Sequence, residues 1–170
     1  SIAPHALYYR NDKKLLEDRL IDTMIYDGLV DAFDNYHMGV TAENIADKFK
    51  ISRKEQDDFA LNSQKKTQLS LEQNKFKDEL VSVNLNGSIL KVDEHPRKNL
   101  KVEDLEKLNT VFKENGTVTP GNSSGINDGA AAVILTSYDE AKKKSLKPLA
   151  KIVAWSSVGV EPALMGLGPI

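Results

Sequence analysis

Cysteine is absent from the 170 residues of this chain. Without thiols, the chain can form neither a disulfide scaffold nor a thiolate zinc site. It also cannot supply a cysteine nucleophile for covalent catalysis. Any mechanism that needs a cysteine must therefore take it from outside these residues.

The chain also lacks a strong charge of either sign and a long hydrophobic run. Its 23 Lys and Arg residues are balanced by 25 Asp and Glu residues, for a formal net charge of −2. This balance argues against a nucleic-acid partner, because such binding needs a basic surface. No run approaches the ~20 apolar residues that cross a bilayer, so no membrane partner is expected. With 40% hydrophobic residues, general disorder is also excluded.

The amino terminus shows no targeting segment. No basic stretch followed by an apolar stretch occurs in residues 1–9, so we expect no signal peptide and a cytoplasmic protein. The chain begins at Ser1 without an initiator methionine and ends at Ile170 on a glycine-rich turn. These two ends favour a segment of a longer polypeptide.

In the first third of the chain, the spacing of apolar residues predicts helices. Residues 1–20 are predicted as a loop that leads into a charged helical stretch, and Asp22–Phe33 as a helix. Thr41 is the expected N-cap of a helix that ends at Phe49.

A longer helix is predicted after a capping box formed by Ser52 and Glu55. Asp57 and Asp58 are expected on its polar surface and not as a paired-carboxylate site. The apolar stripe predicted for this helix consists of Phe59, Ala60, Ser63, Thr67 and Leu71.

A hairpin and a short helix are predicted next. Leu80–Leu85 alternates as a half-buried strand does, and Asn86-Gly87 is a turn signal before a partner strand over Ile89–Val92. Val102–Leu108 is predicted as a short helix with its leucines inward.

The last third of the chain has a different pattern. Ala130–Thr136 is predicted either as a helix end or as a strand buried on both faces, Ala141–Leu146 as a basic helix and Leu149–Val160 as a strand. These segments are typical of an α/β core whose neighbouring strands are missing, whereas residues 1–118 are typical of an elaborated insert.

Small residues are densest in Thr117–Ala130. The stretch matches neither a Walker loop nor the dinucleotide-binding fingerprint. Gly121, Gly125 and Gly129 recur every four residues and would share one face of a helix. Two interpretations stay open: close packing against another backbone, or a helix start whose amides and Ser124 hydroxyl receive a polar ligand.

The histidines His5, His37 and His95 are not spaced to ligate one metal ion, so no metal site is predicted. His37 is either a capping or packing residue or part of a site. Arg97, which follows Pro96, is either a solvated charge or a contact for a phosphate or an adenine.

Six strings stand in one order along almost the whole chain. They are IDTMIYDGL (21–29), YHMGVTAEN (36–44), SRKEQD (52–57), GTVTPGNSSG (116–125), NDGAA (127–131) and VGVEPALMGLGPI (158–170). Together they resemble the thiolase family, specifically the acetyl-CoA acetyltransferases of the biosynthetic type.

The resemblance implies an α/β protein with a layered αβαβα fold made of two halves, of which this chain would be a partial segment. Residues 1–125 would be a mostly helical loop domain that covers the coenzyme A site and helps to form a homotetramer. Residues 126–147 would end the first half, and residues 148–170 would begin the second.

The implied activity is condensation of two acetyl-CoA to acetoacetyl-CoA, or the thiolytic reverse. In the family a cysteine is acylated, a histidine and a second cysteine move protons, and oxyanion holes stabilise the intermediates. The resemblance places these groups before Ser1 or after Ile170, so it implies no catalytic residue here and no turnover by the chain alone. Coenzyme A is implied as a substrate, and no prosthetic group is implied.

The resemblance also implies a set of pocket residues. Leu29 and His37 match residues of the pocket wall, and Met38 matches the residue that faces the acyl group. Ser124 and Gly125 match residues that meet the pantetheine amide, since a pantetheine arm needs an apolar tunnel with a few amide partners.

The remaining matches are spread along the chain. Arg97 corresponds to the cation near the adenine and phosphates, Phe112 to an apolar neighbour of the adenine, and Met165 to the apolar tunnel. Pro120 departs from the family, which usually has a small residue there, and it removes an amide donor next to the pantetheine.

Two alternatives come from other classes of protein. The chain could be a catalytically silent module that binds coenzyme A or pairs with other subunits through residues 1–50. It could also be a structural remnant, which would have no affinity for coenzyme A.

Overall fold

The computed structural model describes His5–Ala6 and residues 21–170, so most of the loop and charged helix predicted within residues 1–20 lies outside the described residues. The elements are β1 (His5–Ala6), β2 (Ile21–Asp22), α1 (Thr23–Gly28), α2 (Met38–Phe49), α3 (Arg53–Glu72), β3 (Val83–Leu85), β4 (Ser88–Leu90), α4 (Val102–Glu106), α5 (Tyr138–Lys143) and a 3₁₀ helix (Pro162–Leu167). Strand β1 pairs antiparallel with β2, and β3 pairs antiparallel with β4.

Helix α1 is shorter than the helix predicted over Asp22–Phe33. Asp22 caps it by accepting a hydrogen bond from the amide two residues ahead, and the helix ends at Gly28. The buried carboxylate of Asp31 then accepts hydrogen bonds from the amides two and three residues ahead of it. These bonds form a turn, so the second half of the predicted helix is wrong.

Helix α2 begins earlier than predicted. Its N-cap is His37, whose Nδ1 accepts a hydrogen bond from the amide of Gly39 at 2.9 Å. Thr41, the predicted cap, lies inside the helix and donates its hydroxyl to the Met38 carbonyl at 2.5 Å. The helix ends at Phe49 as predicted.

Helix α3 confirms the capping box. The Ser52 amide donates to Glu55 Oε2 at 2.7 Å, and the Glu55 amide donates to Ser52 Oγ at 3.2 Å. The predicted apolar stripe is not a core face, because Phe59 is 78% exposed. The residue that this helix buries is Asp57, which is 2% exposed and not on the surface as expected. The hydrogen-bond partners of Asp57, described below, are polar, so the spacing of apolar residues could not predict its burial.

The β3–β4 hairpin and helix α4 are found in the predicted regions, but with different bounds. Strand β3 begins three residues later than predicted, β4 ends two residues earlier, and α4 ends two residues earlier. Asn86 and Gly87 both have positive φ, 49° and 93°, which suits a tight hairpin turn. The strands are exposed and not half-buried, as shown by Val83 at 49% and Leu85 at 56%. In α4, Leu105 is 1% exposed, which confirms its inward position.

Residues 126–160 differ most from the predictions. Ala130–Thr136 is neither helix nor strand, Leu149–Val160 contains no strand, and the helix predicted over Ala141–Leu146 begins earlier, as α5. Ile134 is 93% exposed and Trp155 is 88% exposed. A strand needs a neighbouring backbone to pair with, and no described residue supplies one to either segment.

The buried residues centre on α2 and the segments around it. The 3₁₀ helix packs on α2, where the Asn44 side-chain amide donates to the Ala163 carbonyl at 3.1 Å and Gly166 lies against Ile45. Five polar or charged residues are as buried as the apolar core: Asp31, Thr41, Glu43, Asp57 and Thr119. No helix within the described residues combines the length and hydropathy needed to cross a bilayer.

Candidate functional site

The segment Thr117–Asn122 is held by a buried carboxylate of helix α2. Glu43 is 1% exposed, and its carboxylate accepts hydrogen bonds from the Thr117 amide at 2.9 Å, the Thr117 hydroxyl at 2.9 Å and the Val118 amide at 2.7 Å. A buried carboxylate needs such donors to compensate for lost hydration. Gly116 packs directly against the same carboxylate, so a side chain at this position would displace Glu43.

A second buried carboxylate, on helix α3, holds the other end of this segment. Asp57 Oδ1 accepts a hydrogen bond from Asn122 Nδ2 at 2.9 Å, and Asp57 Oδ2 pairs with Arg53 Nε at 2.7 Å. The Arg53 guanidinium also donates to the Leu105 and Leu108 carbonyls at 2.6 and 3.1 Å. Helices α3 and α4 are therefore joined to the segment through one charged pair.

The segment is also closed by its own hydrogen bonds. The Thr119 amide donates to Asn122 Oδ1 at 2.8 Å, and Asn122 Nδ2 donates to the Thr117 carbonyl at 3.0 Å. Thr119 is fully buried, and its carbonyl accepts the Ser123 hydroxyl. Pro120 is exposed within this loop.

The three glycines spaced by four do not share a helical face. Residues 121–130 contain no helix, so the interpretation as a helix start is wrong. Gly121 packs against Leu105 and Leu108, and a β-carbon there would lie 2.5 Å from each of them. A β-carbon at Gly125 would lie 2.5 Å from the His95 ring, whereas one at Gly129 would meet nothing within 4 Å. Two of the three glycines are therefore closely packed, but against side chains and not against another backbone as expected.

Ser124 and Gly125 lie exposed beside a groove that contains Arg97. The groove has a volume of about 810 Å³, and its lining includes His95, Arg97 and Asp128. Arg97 is exposed, and its backbone amide donates to Gln64 Oε1 at 2.9 Å, which holds the loop against α3. The structure thus brings Ser124, Gly125 and Arg97 to one region, through His95.

A second group of predicted site residues lies at the start of α2. The rings of His37 and Phe112 stack with centroids 4.5 Å apart and an interplanar angle of 20°. The Met38 amide donates to the Leu29 carbonyl at 2.7 Å, which places these two residues beside the stack. All four residues are half-buried.

An exposed ion pair joins the loop that carries Phe112 to helix α2. Lys113 Nζ lies 2.5 Å from Asp47 Oδ2. The hydrogen bond and the opposite charge raise the pKa of Lys113 and lower the pKa of Asp47. Both groups therefore stay charged at neutral pH.

No described contact joins Met165 or Pro120 to either group of predicted site residues. Met165 lies on the 3₁₀ helix and is 41% exposed. The described residues contain no group of His, Cys, Asp and Glu side chains arranged to hold a metal ion.

Glu43, Asp57 and Asn122 were not identified as site residues from the sequence. Asp57 was expected only as a surface residue. The one local signal is the spacing of Arg53 and Asp57, four residues apart on a helix, which allows an ion pair but does not show that the pair is buried.

Comparison with known proteins gives matches along the whole chain. The family model described as "Thiolase, N-terminal domain" matches residues 1–139. The acetyl-CoA acetyltransferase of Paracoccus denitrificans is 47% identical over 174 residues, and the cytosolic acetyl-CoA acetyltransferase of Rattus norvegicus is 46% identical over 176 residues. Both alignments cover 100% of this chain and 44% of the relative, so the chain spans less than half the length of these relatives.

A solved structure matches over the same extent. The crystal structure of human mitochondrial 3-ketoacyl-CoA thiolase in complex with CoA superposes with a TM-score of 0.84 at 42% sequence identity. The superposition covers 98% of this chain and 42% of that one.

Proposed function

Because this chain belongs to the thiolase family, we propose that it is a segment of an acetyl-CoA acetyltransferase, which condenses two acetyl-CoA to acetoacetyl-CoA or cleaves the product in reverse. The observation that carries the proposal is the 47% identity, over the whole chain, to a relative of that name. The family match confirms the resemblance stated from the sequence. The superposition confirms the thiolase-like fold, of which this chain is a partial segment. The boundaries at residues 125 and 147 stay predictions.

The chain would contribute part of the surface that binds coenzyme A. Leu29, His37, Met38 and Phe112 form a half-buried, largely apolar cluster, which suits an apolar part of the ligand. Polar partners for the pantetheine arm would come from Ser124 and Gly125, with Arg97 near the phosphates and Met165 in the tunnel wall. Pro120 has no amide N–H, but the hydrogen bonds that close its loop do not need one. They are donated by the amides of Thr119 and Gly121.

The chemistry itself would use groups that this chain does not contain. Acyl transfer through a thioester needs a cysteine nucleophile, and these 170 residues have none. We therefore expect the chain alone to bind coenzyme A without turning over. A silent coenzyme A-binding or subunit-interaction module is the second candidate, since a binding surface without a nucleophile fits it equally well.

Assembly and location follow from the same proposal. A homotetramer formed through residues 1–125 is expected, as is a cytoplasmic location, which the cytosolic relative from rat supports. Analytical ultracentrifugation of the natural protein tests the first expectation, and cell fractionation tests the second.

The intact mass and the activity of the natural protein test the proposed function together. A mass of about 40 kDa, typical of a protein of two domains, with coenzyme A-dependent cleavage of acetoacetyl-CoA, would support it. A mass of 18.8 kDa with no cleavage would refute the enzyme for this chain. Titration calorimetry with coenzyme A would then separate a binding module from a structural remnant, which has no affinity.

A further inference from the structure

Two buried carboxylates from different helices hold one short segment directly before Ser124 and Gly125. Glu43 on α2 binds the amides of Thr117 and Val118, and Asp57 on α3 binds the side chain of Asn122. Both carboxylates are at most 2% exposed. Burial of a charged carboxylate costs desolvation free energy, which an apolar side chain at either position would avoid. The two buried charges therefore suggest a role other than packing.

The hydrogen-bond chemistry at Glu43 fixes the segment in one arrangement. Every partner of its carboxylate given above is an N–H or O–H donor, and the carboxylate only accepts. An amide in its place would turn an NH₂ group towards backbone N–H donors. The side chain of Gln56 adds a further bond, from Nε2 to the Thr117 hydroxyl at 2.8 Å.

The next residues are placed by this arrangement. Asn122 is bound to Asp57 and to the Thr117 carbonyl. Gly121 is packed against Leu105 of α4 and against Leu108, which follows this helix. Gly125, three residues after Asn122, lies against the His95 ring at the edge of the groove. The direction in which the chain leaves Asn122 therefore sets where Ser124 and Gly125 lie.

We propose that Glu43 and Asp57 are positioning residues, which fix the Ser124-Gly125 segment for the pantetheine arm of coenzyme A. The inference rests on the proposed function, since it presumes that coenzyme A binds at this segment. A segment that is already fixed loses little conformational entropy on binding, which raises affinity without a new contact. The carboxylates themselves do not touch the ligand.

The test compares coenzyme A with the adenosine bisphosphate that forms its nucleotide half and lacks the pantetheine arm. Dissociation constants are measured by titration calorimetry on the natural protein and on Glu43→Gln. We expect Glu43→Gln to bind coenzyme A about tenfold more weakly, because the apparent dissociation constant rises tenfold when only about a tenth of the protein keeps the binding arrangement. The nucleotide half should bind as it does to the unaltered protein.

Two further variants separate positioning from general loss of stability. Thr117→Val removes one hydroxyl, with its bonds to Glu43 and Gln56, and keeps both amide bonds to Glu43, so it should fold and weaken coenzyme A binding by a smaller factor. Glu55→Gln is the matched control, because the exposed carboxylate of Glu55 bonds to Ser52 and makes no described bond to the segment. It should leave both dissociation constants unchanged.

Each result decides between named alternatives. Weaker binding of coenzyme A alone, graded from Thr117→Val to Glu43→Gln, supports the positioning role. Equal weakening of both ligands, or unchanged affinity for coenzyme A, overturns it and leaves the proposed function standing. If the unaltered protein binds neither ligand, the proposed function itself fails, and this inference fails with it.

Discussion

Replacement of Gly39 by alanine tests the stacked pair at the start of helix α2. A β-carbon built at Gly39 would overlap three ring carbons of Phe112, so the ring must move away from His37. Overpacking of this kind costs about 1–3 kcal/mol, and loss of a stacked aromatic pair costs about 0.5–1.5 kcal/mol. The gain in helix propensity from glycine to alanine is at most about 1 kcal/mol. We therefore expect Gly39→Ala to lower the free energy of unfolding by about 0.5–3.5 kcal/mol.

The sign of this effect should reverse when the ring is removed. In a Phe112→Ala background, Gly39→Ala meets no ring, and only the helix propensity remains, so it should stabilise the protein slightly. Gly28→Ala is the matched control, because a β-carbon at Gly28 meets nothing within 4 Å. Urea unfolding followed by circular dichroism gives the free energies. A Gly39→Ala effect of the same sign and size in both backgrounds would refute the stacked arrangement.

Three further predictions concern the core, the response to acid and the groove. Leu105→Ala should cost about 2–4 kcal/mol of unfolding free energy, because this side chain is 1% exposed, whereas Leu69→Ala at 51% exposure should cost little. Hydrogen bonds from the amide and hydroxyl of Ser52 lower the pKa of Glu55 below its ordinary value of 4.5. Its contribution is therefore present above this pH and lost as the pH falls through the lowered pKa, so Glu55→Gln should flatten the acid side of a pH–stability curve. Arg97→Ala should weaken coenzyme A binding in calorimetry about tenfold without changing Tm, because Arg97 is exposed in the groove.

Each of these predictions has a contradicting result. Equal costs for the two leucine variants would mean that α4 is not packed as described. An unchanged acid limb in Glu55→Gln would show that the capping box does not form in solution. If Lys66→Ala, which removes an exposed cation of α3, weakened coenzyme A binding as much as Arg97→Ala, the effect would come from net charge and not from the groove.

Local hydrogen-bond chemistry made part of this fold predictable. The capping box of Ser52 and Glu55 and the turn at Asn86 and Gly87 depend on residues within a few positions of one another, and both were found. The start of α2 was missed for a related reason. Thr41 has the usual side chain of an N-cap, but the imidazole of His37 accepts the amide two residues ahead and begins the helix earlier.

The parts that could not be predicted depend on residues far apart in the chain. Glu43 and Thr117 are separated by 74 positions, and Asp57 and Asn122 by 65, so no spacing rule reports their bonds. A strand has the same dependence, because its backbone groups need a partner that its own residues cannot supply. Ala130–Thr136 has the composition of a strand and yet lies unpaired and exposed within the described residues. Pairs of buried polar groups and pairs of strands thus form only when distant parts of the chain pack together. The position proposed for the Ser124-Gly125 segment depends on such pairs, so it is argued from the structure and not from the motif.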